Sequence, residues 1–143
     1  MRRNKNINRT SYDAKMMTMD QDVYKLRRRV MDVIYEVKRN GYTIPRIEVR
    51  VVEEGQENIM GYAYLKQNIV HIKREWINIE STTDFTGFDT GSTNGDRLTH
   101  LVLHEIVHAV TGFGHEEKCY LMNPIVPNNV NVEKSWEAFS KYF

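Results

Sequence analysis

The sequence has a single cysteine, Cys119, so no disulfide can form within the chain. That favours a reducing compartment. No apolar run approaches the ~20 residues that a membrane-spanning helix needs. Arg2 and Arg3 follow Met1, but no hydrophobic segment follows them, so a cleaved secretory signal is not expected. An excess of charge of one sign is also lacking. Twenty Lys and Arg against 19 Asp and Glu leave a net charge of +1, which gives no global reason to expect nucleic-acid binding. Basic residues gather only at Arg2, Arg3, Lys5 and Arg9, and again at Arg27, Arg28 and Arg29. They read as a solvated arm and a solvated helix face. The expected location is the cytoplasm or a particle, with no membrane partner.

At 143 residues the chain suits one compact domain, and 41% hydrophobic residues are enough to build its core. Residues 1–17 are polar and aperiodic and are expected to form a flexible basic arm, leaving 18–143 as the domain. Val23, Leu26, Val30, Val33, Ile34 and Val37 recur at helical spacing, with Thr18 or Asp20 as cap and Gly41 as stop. Ile47, Val49 and Val51 alternate with charges, the pattern of a half-buried strand. After a polar turn at 53–58, two more strand-like runs, 59–65 and 68–73, are joined by a hairpin turn at Lys66 and Gln67. Residues 81–95 form a long polar loop of the kind that is functional or mobile. Asp96 is the expected cap of a second helix, which Gly112 and Gly114 end, and a final helix spans about 132–142 with Trp136 and Phe139 buried. The pattern predicts an α+β domain: a backing helix, a small twisted sheet of mixed or mostly antiparallel strands, a site-bearing helix and a C-terminal helix.

The chemistry gathers at His104-Glu105-Ile106-Val107-His108. Residues four apart on a helix lie roughly 40° apart around the axis, so His104 and His108 can reach one metal ion. Glu105 lies about 100° round from His104, placed to meet a water on the metal's open side. Two neutral imidazoles and a carboxylate at this spacing suit zinc and a general base. Zinc lowers the pKa of a water it holds to about 7, and the carboxylate can take that proton and hand it to a leaving amine. Two ligands hold zinc weakly, so a third is required. His115 is the first candidate, because the glycines before it permit a sharp reversal past the helix end.

Residues 98–127 resemble the metzincin group of zinc peptidases, which includes the matrix metallopeptidases. Their pattern is His-Glu-x-x-His-x-x-Gly-x-x-His followed by a turn carrying a methionine. Here the run reads HEIVHAVTGFGH, and Leu121-Met122-Asn123-Pro124 looks like the methionine turn. The resemblance implies a zincin-like fold with His104, His108 and His115 as ligands of Zn2+, Glu105 as general base and Met122 beneath the site. Three residues separate His108 from Gly112 where the family has two, and the Thr111–Gly114 turn is expected to absorb the extra one. Pro124 stands where some members of the family carry a tyrosine.

Zincins of the gluzincin branch take a glutamate from a later helix as third ligand, which keeps Glu133 and Glu137 open as rivals of His115. His100 extends the histidine row backward and suits a hydrogen bond that supports the ligands from behind, or solvent contact; His71 sits in a strand and reads as structural. Cys119 reads as a buried thiol. Tyr62, Tyr64 and Tyr120 are candidates for stabilising an oxyanion. Gly61-Tyr62-Ala63-Tyr64 is a candidate edge for a substrate strand. The function implied is zinc-dependent hydrolysis of peptide bonds in a protein or peptide substrate. Two alternatives stand beside it. One is a structural or assembly component of a larger complex, such as a phage or bacterial particle, docked by the arm and carrying a non-catalytic zinc. The other is a zinc hydrolase acting on a non-peptide amide.

Overall fold

A computed structural model describes residues 11–52, 60–76, 78–84 and 86–143. The turn at 53–58, Ile59, Phe85 and the first ten residues of the arm lie outside them. The elements run α1 (Ser11–Arg39), β1 (Glu48–Val52), β2 (Gly61–Ala63), β3 (Ile69–Lys73), a 3-10 turn (Arg74–Trp76), α2 (Asn94–Ile106), a π-helical turn (Val107–Thr111) and α3 (Val132–Ser140). The architecture is α+β, with a three-stranded sheet and three α-helices among the described residues. Among the described residues no helix is long and apolar enough to cross a membrane.

Helix α1 begins at Ser11, earlier than Thr18 or Asp20, so residues 11–17 are helix rather than arm. Ala14, Lys15, Met16 and Met17 are good helix formers, and propensity carries the helix past the point where the apolar stripe starts. That stripe, Leu26, Val30, Val33, Ile34 and Val37, is buried. It covers β1 and α2.

The sheet order is β1-β3-β2. β3 is central, parallel to β1 with Val49 opposite Val70 and Val51 opposite Ile72. It is antiparallel to β2, with Gly61 opposite Ile72 and Ala63 opposite Val70. β2 is shorter than the run 59–65 suggests, and its outer edge is unpaired among the described residues. The turn into β3 passes through Lys66 and Asn68, both at positive φ (60° and 56°). Gly61 is required by packing: a Cβ there would lie 2.7 Å from the His71 carbonyl oxygen.

Helix α2 is capped by Thr93, whose hydroxyl accepts from the Asp96 amide, so Asp96 sits in the first turn instead of at the cap. An acidic residue there still complements the helix dipole. Helix α3 is capped by Asn131 and packs Ser135, Ala138 and Phe139 inward, while Trp136 is only half-buried against the same core.

Candidate metal centre

Two turns of α2 carry Leu101, His104 and His108 along one stripe, and the chain then leaves the helix through a π-helical turn at Val107–Thr111. A π turn holds one residue more than an α turn. The three residues between His108 and Gly112 therefore lie in this wider turn, which runs into the Thr111–Gly114 segment. The β2–β3 turn packs on its carbonyls: His108 O accepts from Lys66 N–H at 3.1 Å as well as from Gly112 N–H, and Ala109 O accepts from Asn68 N–H at 3.4 Å. Gly112 then ends the turn in the left-handed region at φ 80°, where a side chain is disfavoured. The reversal returns His115 to the histidine face.

His104, His108 and His115 offer one ligand atom each, and these atoms all lie within 4.8 Å of one another. Three histidines so placed can hold a metal ion. Hydrogen bonding prepares two of them. His104 Nδ1 donates to Leu121 O and His108 Nδ1 donates to Phe113 O, each at 2.7 Å. A carbonyl oxygen only accepts, so the proton of each neutral ring is on Nδ1 and the Nε2 lone pair is left bare. The two Nε2 atoms sit 3.1 Å apart. Two bare lone pairs at that distance repel unless a cation lies between them. Protonation is opposed by burial, which lowers the His104 pKa to about 3 and lowers that of His108 as well. Nitrogens sharing one tetrahedral zinc are about 3.3 Å apart. The His104 and His108 nitrogens therefore have the spacing of two ligands on one metal ion.

Glu105 is 4% exposed and lines the same cleft as the three histidines, a cavity of about 550 Å³. Burial raises its pKa to about 8. The Met122 turn meets the site through its first residue: the Leu121 carbonyl orients His104, while Met122 itself is fully buried and its carbonyl accepts from Glu116 N–H.

The other candidates sort by position. Glu133 and Glu137 are exposed on α3 and lie outside the histidine group. His100 is fully buried, with Nδ1 2.7 Å from Ser135 Oγ, and ties α2 to α3. His71 stacks on Tyr62 with ring centroids 4.1 Å apart. Cys119 is half-buried and its Sγ accepts from Met122 N–H. Of the three tyrosines only Tyr62 lines the cleft. Tyr64 is exposed, and Tyr120, whose hydroxyl oxygen accepts from Asn131 N–H, lies outside the cleft lining.

Sequence reasoning missed Arg97. It lines the cleft, is 7% exposed, and lies 5.1 Å over the Trp76 ring. The signal was present: Arg97 continues the stripe of Leu101, His104 and His108, where a cation among apolar and ligating residues has no packing reason to be. Comparison with known proteins leaves the site to speak for itself, since no family model, no curated protein and no solved structure matches the chain.

Proposed function

We propose that this chain is a zinc-dependent peptidase of metzincin type that cleaves an extended segment of a protein or peptide. The observation that carries the proposal is the bare Nε2 pair of His104 and His108 at 3.1 Å, with His115 beside it and a buried carboxylate in the same cleft. His104, His108 and His115 would hold the zinc. When bound, zinc supplies a Lewis acid that polarises a carbonyl and makes a neighbouring water acidic.

The remaining steps belong to the chain. The Leu121 and Phe113 carbonyls hold two imidazoles in the ligating tautomer, so binding costs little reorganisation. Glu105 takes the proton of the attacking water and delivers it to the departing amide nitrogen. A carboxylate with a pKa of about 8 in the metal-free cleft is strongly basic for its kind, and a dication nearby moves it back toward neutrality and below. The free edge of β2 lines the cleft through Gly61, Tyr62 and Ala63 and offers main-chain groups to an added strand. A metal serving stability alone has no use for Glu105 in this position, because an unpaired buried carboxylate weakens the fold.

The test joins metal analysis to cleavage. Purified protein should hold about one zinc per chain, lost in His104→Ala. Cleavage of an unfolded protein substrate should vanish in Glu105→Ala while zinc stays bound. Zinc-loaded wild type that cleaves no unfolded protein defeats the reading.

A further inference from the structure

Arg97 stands two helical turns before His104 on the same stripe, so its side chain leaves the helix about 10 Å from the first ligand. Arg97 is 7% exposed, and its Nε has no hydrogen-bond partner among the described residues. Among the described residues no carboxylate lies within ion-pairing distance of it. Asp84 lines the same cleft and acts on Arg97 through space, without an ion pair; its Oδ1 accepts from Thr86 N–H, Thr86 O–H and Phe88 N–H. The Trp76 ring supports the cation from one side without neutralising it. A buried guanidinium with open donors, in the wall of a cleft, is half of a charge-assisted pair.

We propose that Arg97 recognises a carboxylate of the bound peptide, either an Asp or Glu side chain or the free C-terminus, on the C-terminal side of the cut. The inference rests on the peptidase reading. Its direction comes from how β2 lies along α2. Met60 O accepts from Trp76 Nε1 beside Arg97, and a Cβ on Gly61 would lie 3.0 Å from Leu101 Cδ2. At the other end Lys66 N–H reaches His108 O. β2 and α2 therefore run in the same sense. A peptide added antiparallel to β2, the more stable pairing, runs from the His108 end toward Arg97. About 10 Å of extended chain is roughly three residues, which puts the carboxylate two or three residues past the cut.

Cleavage profiling on a proteome-derived peptide library tests this with zinc-loaded wild type, Arg97→Met and Arg97→Lys. Wild type should favour Asp or Glu two or three residues past the cut, or cuts at that distance from a free C-terminus, by about tenfold over neutral peptides. Arg97→Met should lose that preference and still cut carboxylate-free peptides. Arg97→Lys, which keeps the charge and loses the fork, should fall between and serves if the Met variant fails to fold. Amidating the library's C-termini separates the sources, abolishing only the terminal preference. A preference equal in wild type and Arg97→Met, or none in wild type, overturns the inference. If wild type cuts nothing, the peptidase reading fails on its own, and binding decides this one. Fluorescein-labelled Glu-containing peptides and their Gln twins, amidated or free, are titrated onto zinc-loaded Glu105→Gln with and without Arg97→Met. A carboxylate preference lost with Arg97 supports it, and no preference, or one that survives, ends it.

Discussion

Replacing Glu105 by Gln should make the metal-free protein more stable while abolishing cleavage by the zinc-loaded one. The side chain is 4% exposed, and burial raises its pKa from 4.5 to about 8. In the unfolded chain the carboxyl ionises at its ordinary value, so folding at pH 7 requires it to take up a proton. A folded pKa raised in this way leaves stability intact below pH 4.5 and erodes it as pH rises toward 8. From 4.5 to 7 the loss accumulates over two and a half pH units. At 1.36 kcal/mol per unit that is about 3 kcal/mol. Gln has the same shape and no titration, so the variant regains this amount, a rise of roughly 10 °C in Tm for a domain of this size. Zinc favours the ionised carboxylate, so saturating metal should narrow the gap. Calorimetric unfolding of both proteins at pH 5 and pH 7, with chelator and with zinc, reads all four corners. Equal Tm values in chelator at pH 7, or a gain as large at pH 5, would refute the reasoning.

His115→Ala should weaken zinc binding by at least about a hundredfold in a calorimetric titration, whereas Glu133→Gln and Glu137→Gln should leave it unchanged; the reverse pattern would make a glutamate the third ligand. His100, fully buried, has its pKa lowered from 6.5 to about 4, first by burial and then by the Arg97 charge. It is neutral when folded, so its contribution is complete above pH 6.5 and declines as pH falls through 4, by about 3 kcal/mol in all. Urea midpoints from pH 7 to pH 4 should therefore fall less steeply in His100→Gln than in wild type. Gly112→Ala puts a side chain at φ 80° and a Cβ 3.0 Å from Lys66 Cε. It should cost about 1–2 kcal/mol and also weaken zinc binding, because Gly112 aims His115; an unchanged zinc affinity would show that the turn does not position the ligand.

The histidine pair and Glu105 were legible because their geometry is local: helical periodicity alone places residues 104 and 108 on one face. The α+β class followed from the same periodicities, three-and-four along α1 and two along β1 and β3. What the sequence concealed depends on partners distant in the chain. Arg97 carried a signal in its place on the histidine stripe, but its surroundings, β2, Trp76 and the loop bearing Asp84, come from distant parts of the chain. The carbonyls of the π turn meet amides of Lys66 and Asn68 from the sheet, which no window around His108 contains. The parallel pairing of β1 with β3 likewise follows from the chain's route through the intervening residues and leaves no mark on either strand. Tyr120 was a reasonable oxyanion candidate by proximity in sequence, but the fold places it outside the cleft lining.

The amides of Lys66 and Asn68 join the end of the proposed peptide-binding edge to the main chain of a candidate ligand, His108, and of its neighbour. On the proposed reading, pulling on that edge tugs on the ion's cage, and filling the cage stiffens the edge. A peptide should find a firmer rail on the loaded protein than on the empty one, and an insertion between β2 and β3 should slacken both at once.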